Sequence, residues 1–145
     1  MPELPEIETI RREASKILLG RKIRAVKILD PKPVGEQKED FERLKNRTIK
    51  RVRRFGKILV LDLSGGVSLL IHLKLTGQLV YSFAGKKVAG GHFEKGSLEV
   101  PNRYTRVIFV LDRGKLFFND LRKFGYLKLV STSLVEQSKE IKELG

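Results

Sequence analysis

Residues 48–73 read TIKRVRRFGKILVLDLSGGVSLLIHL, and this stretch decides the fold. Thr48 to Arg54, Ile58 to Leu63 and Val67 to Leu73 are runs rich in β-branched and apolar residues, the composition of strands. Gly56 gives a tight reversal after the first run, and Ser64-Gly65-Gly66 makes the turn between the second and third. Three consecutive strands joined by short turns predict an antiparallel meander.

Working outward, the pattern stays mostly β. Ile23 to Leu29 reads as a strand that ends at the breaker cluster Asp30-Pro31-Lys32-Pro33. Residues 39–46 form a short helical candidate with Phe41 and Leu44 inward. A strand from Gln78 to Phe83 leads into a glycine-rich stretch from Ala84 to about Arg103, read as a loop that is mobile, functional or conceals a hairpin. His92 within it is expected to be dispensable. Tyr104 to Leu111 and Lys115 to Asn119 pair across Asp112-Arg113-Gly114, and Gly125 to Val130 follows. About eight antiparallel strands, an N-terminal helix and a second short helix predict a mainly β fold, a sandwich flanked by helices. The expected domain spans residues 1–131. Residues 132–145 turn polar and read as the start of a linker or a frayed terminal helix.

The N-terminal helix has Ile7, Ile10, Ala14, Ile17 and Leu18 on one face. Pro5 suits its first position, and Gly20 its end. Glu6 and Glu8 fall in the first turn, where the helix dipole favours negative charge; for Glu8 that structural role is the preferred reading. Ahead of the helix stands Met1-Pro2-Glu3. Once Met1 is removed, Pro2 is a terminal secondary amine. At pH 7 such an amine is roughly 300-fold richer in its neutral, nucleophilic form than a lysine. It can attack an electrophilic carbon and then carry the charge of an iminium ion.

With 30 Lys plus Arg against 17 Asp plus Glu, the chain has a formal net charge of +13 over 145 residues, which favours a polyanionic partner. Nucleic acid is preferred to a membrane surface, because no long basic amphipathic helix is present. No apolar run approaches the ~20 residues of a membrane span and no signal peptide is visible, so a cytoplasmic protein is expected; as to partners, it is expected to be a monomer. The absence of cysteine excludes disulfides, iron–sulfur sites and thiolate zinc sites. His72 and His92 stand alone, so no metal site is expected.

Three clusters carry candidate chemistry. Lys50-Arg51-Val52-Arg53-Arg54-Phe55-Gly56-Lys57 gathers cations around a turn, either a solvated strand edge or a phosphate site with Arg54 and Lys57 as its cations. In Ile71-His72-Leu73-Lys74-Leu75-Thr76-Gly77, His72 at a strand end is either a hydrogen-bonded core residue or a functional one, and Leu75 is open to both readings. In Asn119-Asp120-Leu121-Arg122-Lys123-Phe124-Gly125, Phe124 either packs inward at a hairpin or projects as a wedge between bases, with Arg122 reaching a base edge.

Taken together, the opening Pro2-Glu3-Leu4-Pro5-Glu6-Ile7-Glu8-Thr9, Arg53-Arg54-Phe55-Gly56-Lys57, His72-Leu73-Lys74-Leu75-Thr76-Gly77 and Asp120-Leu121-Arg122-Lys123-Phe124-Gly125 resemble the N-terminal domain of the formamidopyrimidine-DNA glycosylase and endonuclease VIII family. Leu4 and Glu8-Thr9 look more like the formamidopyrimidine branch. The resemblance runs from Pro2 to about Val130 and implies a β-sandwich flanked by helices.

It also implies a base-excision repair enzyme that removes oxidised purines and cleaves the abasic strand, with damaged double-stranded DNA as partner and a nucleoid-associated location in a bacterium. Pro2 would attack C1′ of a flipped-out nucleotide, and Glu3 would protonate the sugar and shuttle protons. Glu6 would support the lesion pocket. Arg54, Lys57, His72, Arg122 and Lys123 would contact DNA, Lys57 within the catalytic neighbourhood. Leu75, Arg122 and Phe124 would fill the void left by flipping. Leu75 stands where family members often carry methionine, and Lys123 where a second arginine is common. Family enzymes continue into a helix–two-turn–helix domain and usually a zinc finger. The expectation is therefore half an enzyme with weak or no activity alone, no cofactor in this half, and the missing C-terminal half as a partner. A non-catalytic DNA-binding module using the same basic face is the alternative, and an interaction domain that requires the missing half is a third.

Overall fold

The apolar run Ile58–Leu63 is buried along its whole length, which requires cover on both faces of its strand. The computed structural model describes residues 4–91 and 99–143 and supplies that cover from two sides. Among these residues, helix α1 spans Leu4–Leu18, and nine strands follow: β1 (Ile23–Ile28), β2 (Ile49–Phe55), β3 (Ile58–Leu63), β4 (Val67–His72), β5 (Gly77–Phe83), β6 (Lys86–Gly91), β7 (Thr105–Leu111), β8 (Lys115–Asp120) and β9 (Tyr126–Ser131). A five-stranded sheet has the order β1-β7-β8-β5-β6 and a four-stranded sheet the order β2-β3-β4-β9, with antiparallel pairing throughout. The expected helix-flanked sandwich is the observed fold.

The main core lies between the sheets. Leu59, Leu61, Leu69, Ile71, Val107, Phe109, Leu116 and Phe118 meet there with Ile7, Ile10 and Leu18 of α1. Helix α1 packs against β2 and β6, the edge strands of the two sheets, and so closes one side of the sandwich. The opposite face of β3 forms a second cluster, in which Ile58, Val60 and Leu70 pack with Val135. Val135 belongs to a 3₁₀ turn, Thr132–Gln137, that precedes a single helical turn, α2 (Lys139–Lys142). The described part of the polar tail thus contributes a side chain only 1% exposed.

Two elements refine the expectation. In the stretch read as a loop that is mobile, functional or conceals a hairpin, residues 86–91 form β6 and make the concealed hairpin with β5. Phe83 pairs with Lys86 across Ala84-Gly85, whose φ angles of 52° and 81° make the two-residue reversal of a tight hairpin. Alanine is an uncommon occupant of a positive-φ position, and the paired lysines hide the strand alternation. The rest of that stretch through Leu98, including His92, lies outside the described residues. The helical candidate at 39–46 is a 3₁₀ helix, Asp40–Leu44, with Phe41 and Leu44 buried as expected.

The free edge of β9 is capped by a side chain. Gln37 accepts from Leu129 N at 2.8 Å and donates to Leu129 O at 2.9 Å, while Leu127 N donates to Pro33 O at 2.9 Å. Among the described residues, no helix is long and apolar enough to cross a membrane.

Candidate nucleic-acid interface

Strand register brings the separated motifs to one end of the sandwich. Ile58 pairs with His72, and His72 pairs with Tyr126, so Lys57 in the β2–β3 turn and the β9 start flank the end of β4. Gly77 pairs with Asp120, which aligns the β4–β5 loop with the β8–β9 loop. Nothing in the linear sequence brings residues 57, 72, 75 and 122 together; the pairing does.

The turn at Gly56 (φ 56°) is set by Arg54, whose Nη1 donates to Gly56 O at 3.0 Å. The Arg54 Nε donates to Glu8 at 3.0 Å, tying the turn to the N-terminal half of α1. Arg11 and Arg12 also donate to Glu8. Hydrogen bonds from Arg11 and then Arg54 pull the Glu8 carboxyl down to about 2. Glu8 is therefore an anchor between α1 and the β2–β3 turn, a role beyond the dipole position expected of it. Arg54, expected on phosphates, has its guanidinium engaged within the protein.

His72 is half-buried beside two cations. Burial first, then Lys74 and Lys57, depress its pKa to about 4, so the imidazole is neutral at pH 7. Lys74 N donates to His72 Nδ1 at 3.1 Å. The ring proton therefore sits on Nε2, which is left as a donor. Tyr126 stands against the ring, centroids 5.4 Å apart, and the Lys74 ammonium lies 5.9 Å over Tyr126.

The two projecting loops share a base. Leu75 on the first is 37% exposed and Phe124 on the second 48% exposed, which answers the inward alternative for both. The Arg122 guanidinium lies 5.2 Å over the Phe124 ring and the Lys32 ammonium 5.8 Å over it. Lys123, at φ 60°, pairs with Asp30 at 2.9 Å, and Arg106 approaches the same carboxylate at 3.7 Å. The Asp30-Pro31-Lys32-Pro33 cluster, read only as a strand breaker, thus braces the second loop from behind. Sequence reasoning also assigned no role to Asp120, which is fully buried beneath that loop.

Glu6 is exposed and borders a groove of about 260 Å³ between α1 and the five-stranded sheet, with Ile10, Leu79, Tyr81 and Val88 in its walls. Pro2 and Glu3 lie outside the described residues. Among the described residues no three His, Cys, Asp or Glu side chains cluster as metal ligands would.

A two-sheet antiparallel sandwich closed by an N-terminal helix, with a basic turn and two adjoining loops at one end, defines the class of this domain. The chain belongs to the family described as formamidopyrimidine-DNA glycosylase N-terminal domain, which matches residues 1–127. It is 43% identical over 148 residues to the formamidopyrimidine-DNA glycosylase of Pelotomaculum thermopropionicum, covering 100% of this chain and 49% of that protein. With the enzyme of the same name from Ligilactobacillus salivarius it shares 35% identity over 147 residues, again 100% of this chain and 49% of the other. The chain spans about half the length of the curated relatives it matches. Among solved structures, Lactococcus lactis Fpg in complex with an abasic site containing DNA superposes with a TM-score of 0.79 at 28% identity, over 93% of this chain and 45% of that one. The wild-type L. lactis protein with an oxidized pyrimidine containing DNA gives 0.80 at 28% identity, over 94% and 47%.

Proposed function

We propose that this chain is the catalytic-type domain, residues 1–131, of a DNA glycosylase and abasic-site lyase that excises oxidised purines from duplex DNA. Pro2, freed of Met1, attacks C1′ of the flipped nucleotide; the C1′–N bond breaks and the base leaves with that electron pair and takes up a proton. The proline nitrogen then gives up its own proton, and its lone pair expels O4′, which is protonated as the C1′–O4′ bond breaks; the ring-opened sugar is left as an iminium on the proline nitrogen, an electron sink. Loss of a C2′ proton expels the 3′ phosphate and a second elimination expels the 5′ phosphate. Glu3 moves protons at the sugar, and Glu6 borders the pocket of the extruded base.

The observation that carries this reading is the convergence of Lys57, His72, Leu75, Arg122 and Phe124 at one end of the sandwich. Lys57 supplies charge and His72 a neutral Nε2–H donor for the backbone beside the lesion. Leu75, Arg122 and Phe124 supply two apolar surfaces and a planar cation of the kind that fills a gap in a base stack. The reading further implies a monomer acting on chromosomal DNA in the cytoplasm, with a second DNA-gripping half as partner. By itself the domain grips DNA weakly, and imprecise placement of C1′ costs orders of magnitude in rate.

Borohydride trapping tests it. A Met1-free preparation should slowly accumulate a covalent protein–DNA adduct with abasic duplex and little with 8-oxoguanine duplex, because an open aldehyde needs less positioning than an intact glycosidic bond. Binding of abasic DNA with no adduct overturns the catalytic reading and leaves a DNA-binding module.

A further inference from the structure

We propose that Thr76 and Asp120 form a clasp joining the loop that carries Leu75 to the loop that carries Arg122 and Phe124, so that the two enter a duplex as one rigid wedge. This rests on the void-filling role proposed above for those three side chains.

Asp120 is fully buried, yet it makes no ion pair among the described residues. A carboxylate in that position is costly unless strong donors meet it. Three do. The Thr76 hydroxyl donates to Oδ1, Arg122 N reaches the same oxygen at 3.3 Å, and Gly125 N donates to Oδ2 at 2.7 Å. Thr76 Oγ1 in turn accepts from Arg122 N at 3.0 Å. The hydroxyl thus uses its proton on one loop's anchor and its lone pair on that loop's backbone. With the amides of residues 122 and 125 both drawn inward to Asp120, the residues between must bulge outward. Lys123 accordingly takes φ 60°, and Phe124 is 48% exposed.

The base of each loop has no slack. A Cβ on Gly125 would sit 2.8 Å from Asp120 Oδ2 and 2.9 Å from His72 O, and one on Gly77 would sit 2.4 Å from Leu73 O. Gly77 N donates to Leu73 O at 2.8 Å, closing the first loop on itself. Two closed loops that share a threonine hydroxyl cannot tilt independently. A wedge has to break stacking on insertion, and a pair of loops that already holds its inserted spacing loses less entropy in doing so.

Thr76 and Asp120 are positioning residues, and their contribution separates from phosphate grip. The test uses Thr76→Val, Thr76→Ser and wild type with a duplex carrying a tetrahydrofuran abasic analogue opposite 2-aminopurine. Binding is followed by anisotropy, unstacking by 2-aminopurine fluorescence, and the clasp by amide hydrogen exchange at residues 122 and 125 of the free protein. Thr76→Val should bind at low salt within about threefold of wild type, since the phosphate contacts are intact. It should lose most of the fluorescence response and exchange its Arg122 amide faster. Thr76→Ser should restore both. A Thr76→Val protein with wild-type fluorescence or wild-type exchange overturns the clasp. A wild-type protein that binds this duplex with no fluorescence response overturns the void-filling reading and the proposal with it, an outcome told apart by its appearance before any substitution.

Discussion

Arg54 holds Glu8 and Gly56 at once: its Nε donates to the Glu8 carboxylate at 3.0 Å and its Nη1 to Gly56 O at 3.0 Å. One guanidinium fixes both where α1 lies and how the β2–β3 turn presents Lys57. Removing either partner should therefore disturb two things together.

Glu8→Gln tests the anchor through pH. The carboxyl is held at about 2 against an ordinary 4.5, so its stabilising pull is complete above pH 4.5 and is lost as pH falls through 2. The variant should melt at a lower temperature than wild type at pH 7, and the two melting curves should merge near pH 2. Equal melting points at pH 7 would remove the anchor from the account.

Salt dependence should separate Lys57 from His72. Lys57→Ala should lower the slope of log affinity against log salt by about one, whereas His72→Ala should weaken binding with little change of slope, because a neutral imidazole displaces no counterion. The histidine's folded pKa of about 4 lies below its ordinary 6.5. Its preference for the neutral state thus favours folding above pH 6.5 and fades as pH falls toward 4. As pH falls toward 4, where the ring is half protonated, His72 should add increasingly to the salt slope. Fluorescence titrations at several salt and pH values measure this.

Asp30→Asn should free Lys123 from its 2.9 Å pairing and remove one negative charge behind the second loop. Affinity for intact duplex at low salt should rise, with a steeper salt slope, while preference for abasic over intact duplex falls as the brace is lost. Competition between the two duplexes reads out both effects. An unchanged preference would show that the brace has no part in recognition.

Val135→Ala should cost about 2 kcal/mol, two buried carbons and the small void they leave. Urea unfolding measures it. A variant as stable as wild type would mean that the Thr132–Gln137 turn is not part of the cooperative unit.

Much of this was legible before folding. Ser64-Gly65-Gly66 and Asp112-Arg113-Gly114 mark turns by chemistry, so β3, β4, β7 and β8 were found nearly to the residue. The β6 strand was not, because Ala84 stands where a hairpin usually spends a glycine or asparagine. The site motifs were recognised one by one, but their meeting depends on register, which pairs Ile58 with His72 and Gly77 with Asp120 and is set by tertiary packing. The Glu8–Arg54 bond and the partners of Asp30 and Asp120 were illegible for the same reason: each joins an element distant in sequence or a loop whose shape follows from the bond. Arg54 shows what charge patterning leaves out, since its Nε and Nη1 bond Glu8 and Gly56 O. A cation's position in the sequence does not reveal whether an internal carboxylate has already engaged it.

Gln37 offers a donor and an acceptor to Leu129 in the spacing of a peptide unit, and so impersonates one rung of a neighbouring strand at the rim of the four-stranded sheet. If a chain of net charge +13 gathers along DNA as proposed above, it meets copies of itself far more often there than dilute solution would allow. An open rim there would let sheets add end to end. The glutamine closes that rung with a side chain that no second copy can extend, so crowding along DNA need not become polymerisation.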